Sequence, residues 1–169
     1  MKKVNLCLCE NRDEMTKAGH ENFYKHFGKL APKEPKTLKD LRPLFEQVCH
    51  GCKAGLYNEA YEVYWEKIHK KEEHLIVYNL SAWETNLSLV KNFFPKADLS
   101  QMPLVSKKSD QSFLLNEAGL ALLYTGRPKE AEYPFLTGIK MDIDVENWSG
   151  ASIGYQNLTV LQFRTGEIE

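Results

Sequence analysis

The side chains with the clearest chemical potential are four cysteines, at positions 7, 9, 49 and 52. Cys49-His50-Gly51-Cys52 forms a C-x-x-C, and with Cys7 and Cys9 it could present four thiolates to a tetrahedral zinc ion. Thiol–disulfide chemistry also uses C-x-x-C, but normally where a strand runs into a helix, and no such pattern surrounds this one. Cysteines three apart on a helix equally pack as small apolar groups, and this reading is preferred. Five histidines, at 20, 26, 50, 69 and 74, could act as bases or metal ligands. They are scattered, and no H-E-x-x-H occurs. His69 and His74 are five apart, which does not place two side chains on one face of a continuous helix. Glu72, Glu73 and the lysines at 67, 70 and 71 read as a solvated, charged helix end. No catalytic residue, metal ligand or cofactor is therefore assigned.

The elements that would carry these residues follow an internal repeat. Gly55-Leu56-Tyr57-Asn58-Glu59-Ala60 leads to Tyr64, and Gly126-Arg127-Pro128-Lys129-Glu130-Ala131 leads to Phe135. Both read Gly, four residues, Ala, three residues, aromatic, with Glu just before the Ala. A third copy opens at Gly166-Glu167-Ile168-Glu169, where the sequence stops. Such a unit predicts a helix, a tight turn and a second, antiparallel helix. The glycine takes the left-handed conformation that closes the first helix. Pro128 suits the first turn of the next, where its missing N–H costs little. The alanine lets the helices approach, and the aromatic one turn on fills the space beside it. Gly119 marks a second close approach within a run of otherwise good helix formers.

Helices are expected near 12–29, 38–53, 57–71, 76–94, 110–125, 128–142 and 147–165, about seven in all. Thr37 is expected to cap the second, and Ser109 or Asp110 the fifth. No convincing period-two strand appears. The fold class is all-α, a TPR-like α-solenoid of helix pairs near 38–71, 76–94 and 110–142 with an incomplete pair at 147–169. Residues 1–19 stand apart as a segment of unassigned role, and 20–169 form the repeat domain. Spacings of 71 and 40 residues between the three glycines exceed the usual period of ~34, so the middle unit is atypical.

The 169 residues are 43% hydrophobic and 27% charged, as in ordinary globular proteins, and the net charge is −1. No overall field would gather nucleic acid or anionic lipid. No apolar run reaches the ~18 residues a membrane span requires. The short apolar stretch after Met1-Lys2-Lys3 lacks the features of a secretory signal. A reduced, cytoplasmic protein is expected.

The stretch Leu41-Arg42-Pro43-Leu44-Phe45-Glu46-Gln47-Val48-Cys49-His50-Gly51-Cys52-Lys53-Ala54-Gly55 resembles a segment from the C-terminal TPR-like region of bacterial signalling ATPases of the NACHT/STAND type. Val63-Tyr64-Trp65-Glu66-Lys67-Ile68, Leu114-Leu115-Asn116-Glu117-Ala118-Gly119 and Asn147-Trp148 leading to Asn157-Leu158 extend the likeness over roughly 20–169. Cys49 departs from the small residue expected there. In that family an effector or nucleotide-binding domain lies upstream, but this sequence has no Gly-rich loop ending in Lys-Ser/Thr. The resemblance implies a sensing or regulatory part that binds other proteins and is not an enzyme.

Asn116, Glu117, Leu120, Asn157 and Leu161 would then line a concave groove for a protein or peptide ligand, the asparagines pairing with its backbone. Gly55, Ala60, Tyr64, Gly119, Gly126, Ala131, Phe135 and Gly166 would define the repeats structurally. The alternatives are a zinc- or thiol-dependent protein using the four cysteines, and a structural oligomerisation unit. The helix at 147–165 carries Trp148, Ile153, Tyr155, Leu158, Leu161 and Phe163. One of its faces is expected to be left bare, so homo-oligomer formation through the incomplete C-terminal end is a further expectation.

Overall fold

The computed structural model describes residues 16–166 of the chain. Every regular element among them is helical. The α-helices are α1 (Lys17–Leu30), α2 (Leu38–Ala54), α3 (Tyr57–Val63), α4 (Trp83–Val90), α5 (Lys108–Tyr124), α6 (Pro128–Asp144) and α7 (Trp148–Thr165). The chain divides into two compact units, Met1–Asn92 and Phe93–Glu169. The boundary expected at 19/20 instead falls inside α1, whose N-cap is Thr16, with Oγ1 accepting from the N–H of Gly19 at 3.2 Å.

In the first unit α1 packs on α2 and α2 on α3. The start of α2 is secured by a capping box. Thr37 Oγ1 accepts from the N–H of Asp40, and the Asp40 carboxylate accepts from the N–H of Thr37 at 3.0 Å. These bonds hold the Asp40 carboxyl below its ordinary range. At its end Gly55 takes φ 79°, and the N–H groups of Gly55 and Leu56 return to the carbonyls of Cys52 and Gly51, each at 2.9 Å. Gly126 closes α5 in the same way with φ 81°, and Gly166 follows α7 with φ 76°. Pro128 opens α6, as expected, and α6 continues through Pro134 to Asp144.

Two expected helices are not continuous. The one at 57–71 is α3 running into a π-helical turn, Tyr64–His69, which Lys70 ends with φ 54°. The one at 76–94 is a π-helical turn, Leu75–Asn79, followed by α4 and a 3-10 turn, Lys91–Phe93. Lys70, Lys71, His74 and Ser81 all adopt positive φ. For residues with a Cβ this costs on the order of 1 kcal/mol or more each, so the packing around them must hold the chain in place. Tyr64, wholly buried, fixes this region by donating its hydroxyl to Asn86 Oδ1 of α4 at 2.7 Å, also wholly buried. Tyr64→Phe is expected to lower stability by about 1–3 kcal/mol, because it leaves a buried acceptor with one bond fewer. Urea denaturation of the two proteins checks this.

In the second unit α5 packs on α6 and α6 on α7, while α5 also touches α7. α5 begins at Lys108, and its N-cap is Lys107, so Ser109 and Asp110 lie inside the first turn rather than capping it. The α5–α6 approach centres on Gly119. A Cβ there would lie 2.6 Å from the Phe135 ring. Gly154 gives α7 the same intimacy with Ile139 of α6, 2.5 Å from a hypothetical Cβ. Ala60 and Ala131 are wholly buried.

Candidate functional site

α7 is positioned by a polar knot. Asp142, near the end of α6 and buried, accepts through Oδ1 from the Ser112 hydroxyl of α5 at 2.7 Å and from Asn147 Nδ2 at 2.8 Å. Asn147 in turn caps α7, its Oδ1 accepting from the N–H of Gly150 at 3.2 Å. One carboxylate thus ties α5, α6 and the start of α7 together. α7 buries Ala151, Gly154, Leu158 and Leu161 on one side. On the other it exposes Trp148, Ile153, Tyr155, Val160 and Phe163, with Trp148 at 64% and Phe163 at 72%.

The exposed side carries almost no charge. Among the eighteen residues of α7 the only charged one is Arg164, which lies over the Tyr124 ring at 4.8 Å. α6 carries Lys129, Glu130, Glu132, Lys140, Asp142 and Asp144 in seventeen residues. Solvated helix faces are usually polar and charged. A face with five exposed large apolar residues and a single cation at one end is chemically suited to exclude water against another surface.

The five residues expected to line a groove lie on α5 and α7, but they present little surface. Asn157 Nδ2 donates to Asn116 Oδ1 at 2.9 Å, so the two amides pair with each other across the helices. Glu117, Leu120 and Leu161 are buried. The exposed aromatics of α7 offer more accessible surface than these five.

Two histidine pairs were not legible in the sequence. His20 of α1 and His50 of α2 meet Nδ1 to Nδ1 at 2.7 Å, so one ring must donate and the other accept. Phe23 and Phe27 stack on His50 at 4.9 and 5.7 Å between centroids. Burial first, then His20 and the Lys53 charge, push the His50 pKa down to about 4. Burial and Lys53 lower that of His20 as well. The second pair is His69 and His74, brought to 3.2 Å by the left-handed residues that break the expected helix. His69 Nδ1–H donates to the Lys71 carbonyl at 2.7 Å, and its ring stacks on Trp65. That bond leaves Nε2 of a neutral His69 to accept from His74 Nδ1–H.

Of the proposed thiol set, Cys7 and Cys9 lie outside the described residues. Cys49 and Cys52 are both buried on α2. Burial raises the Cys52 pKa, which disfavours the thiolate that zinc binding or exchange chemistry requires. Among the described residues no helix is long and apolar enough to cross a membrane. Comparison of the chain with protein-family models, curated proteins and solved structures returns no match.

Proposed function

We propose that this chain is a protein–protein interaction module of TPR-like type, without catalytic group or cofactor, serving as the sensing or regulatory part of a larger cytoplasmic signalling or defence protein. The observation that carries the reading is the uncharged, aromatic face of α7, anchored by the Asp142 knot. Support for the repeat type comes from the shared turn at Gly55 and Gly126, from the buried alanines at 60 and 131, and from the packing of α5, α6 and α7 on one another. The resemblance to the TPR-like part of NACHT/STAND-type ATPases supplies the signalling context.

Trp and other large aromatics dominate protein interfaces, each contributing 2 kcal/mol or more when it is an anchor. Panning a library of helical peptides against the full chain, with the Trp148→Ser, Phe163→Ser double variant as counter-selection, tests the reading. Amphipathic peptides that bind the wild type about 100-fold more tightly than the variant are expected. Recovery of no peptide that distinguishes the two proteins would overturn it.

A further inference from the structure

The same face has a geometry that matches itself. Along α7 the outward stripe is Trp148, Ser152, Tyr155, Thr159 and Phe163, all exposed. The steps are four, three, four and four residues, so the stripe stays on one side of a helix. Its ends are large, its flanks at 152 and 159 are small and hydroxylated, and its centre is Tyr155. The pattern is close to a palindrome about a point between Tyr155 and Gln156. Reversed upon itself, Trp148 falls opposite Phe163 and Ser152 opposite Thr159. At 1.5 Å rise per residue the stripe is about 22 Å long, enough for a helix-to-helix contact.

Resting on the interaction reading above, we infer that the occupant of this face is a second copy of the chain, with the two α7 helices antiparallel about a two-fold axis between Tyr155 and Gln156. A two-fold interface must be complementary to itself, with each residue meeting its counterpart across the axis. Like charges facing each other would oppose that, and this stripe has none. The small pair, Ser152 against Thr159, lets the helices approach. The two Tyr155 rings pack beside the axis, and Trp148 and Phe163 close both ends.

Large aromatic side chains contribute roughly 150–250 Å² each when fully buried, so three that are 64%, 53% and 72% exposed offer about 400 Å² per copy. With the hydroxyl residues, two copies together reach about 1,000 Å², the lower end of what specific interfaces bury. The dimer is therefore expected to dissociate in the micromolar range.

Sedimentation velocity of the full chain from about 1 to 100 μM tests this, with far-UV circular dichroism confirming that each variant folds. The wild type should pass from monomer to dimer across the range. Phe163→Glu and Trp148→Lys should each remain monomeric, a weakening of at least about 100-fold. Leu136→Glu, on an exposed position of α6 outside the stripe, should dimerise as the wild type does. An equimolar mixture of Phe163→Glu and Trp148→Lys should regain the dimer, because the antiparallel register sets the new carboxylate against the new ammonium. A wild type that stays monomeric at 100 μM, or a mixture that is not rescued, would overturn the second-copy assignment. Peptides selected by the wild type over the double variant would still identify the face as an interaction surface if that assignment fails.

Discussion

Phe135→Ala is expected to cost the second unit about 3–5 kcal/mol, the usual range for emptying a buried aromatic site. Against the 5–15 kcal/mol of a typical domain this is a large fraction of the total. Phe135 is 1% exposed and its ring lies directly against Gly119, so truncating it leaves a buried cavity. The partner position supplies the sharper test. Gly119 sits in mid-helix, where alanine is intrinsically better by about 1 kcal/mol. Yet a Cβ at 119 would stand 2.6 Å from Cδ1 and Cε1 of Phe135 and 2.9 Å from Cζ. A ring held in the core cannot give way by that much without moving α6, so Gly119→Ala should destabilise despite its better propensity, by about 1–3 kcal/mol. In the Phe135→Ala background the same change should become stabilising, since the clash is gone and the new methyl enters the cavity. Thermal denaturation of the four proteins of this cycle reads the coupling. Additive effects would show that the two residues do not oppose each other as described.

Much of this packing could be read from the residues themselves. Gly119, Gly126, Pro128, Ala131 and Phe135 announce a turn and a close helix pair, and each does what its type implies. Thr37 with Asp40 announces the start of α2. The region from Tyr64 to Ser81 was not legible for a specific reason. Its breaks are made by Lys70, Lys71, His74 and Ser81, residues that carry no helix-stopping signature and reach positive φ only because the packing enforces it. Once the helix breaks there, His69 and His74 lose the spacing that kept them apart. The His20–His50 contact bridges thirty residues and depends on how α1 lies on α2, which no local pattern encodes. For α7, Leu158 and Leu161 turned inward while Trp148, Ile153, Tyr155 and Phe163 turned outward. Apolar content alone cannot separate those sets.

Acidification is expected to loosen the first unit through His50. Its pKa is held at about 4 in the folded chain, against an ordinary value of 6.5, chiefly because a charged ring there would be buried. Between those two values the unfolded chain binds a proton that the folded chain does not, so stability must fall as pH falls. The loss begins near pH 6.5 and ends near pH 4, where both states are protonated. Over pH 7 to 5 it amounts to about 1–2 kcal/mol, with His20, whose pKa is also lowered, contributing in the same direction. Besides burial, the charged and titratable groups that lower the His50 pKa are His20 from α1 and Lys53 from its own helix. Phe23 and Phe27 cover the ring and exclude water without offering a carboxylate to stabilise the imidazolium. The carboxyls of Glu21, Asp40 and Asp98 are held below their ordinary range and lose their stabilising contributions mainly below pH 5, so above pH 5 the histidines dominate. His50→Phe keeps a flat ring between Phe23 and Phe27. It should cost about 1 kcal/mol at pH 7, by removing the bond to His20, while flattening the dependence from pH 7 to 5. Urea midpoints taken every half pH unit decide the matter. An unchanged slope in His50→Phe would mean that the acid sensitivity arises elsewhere.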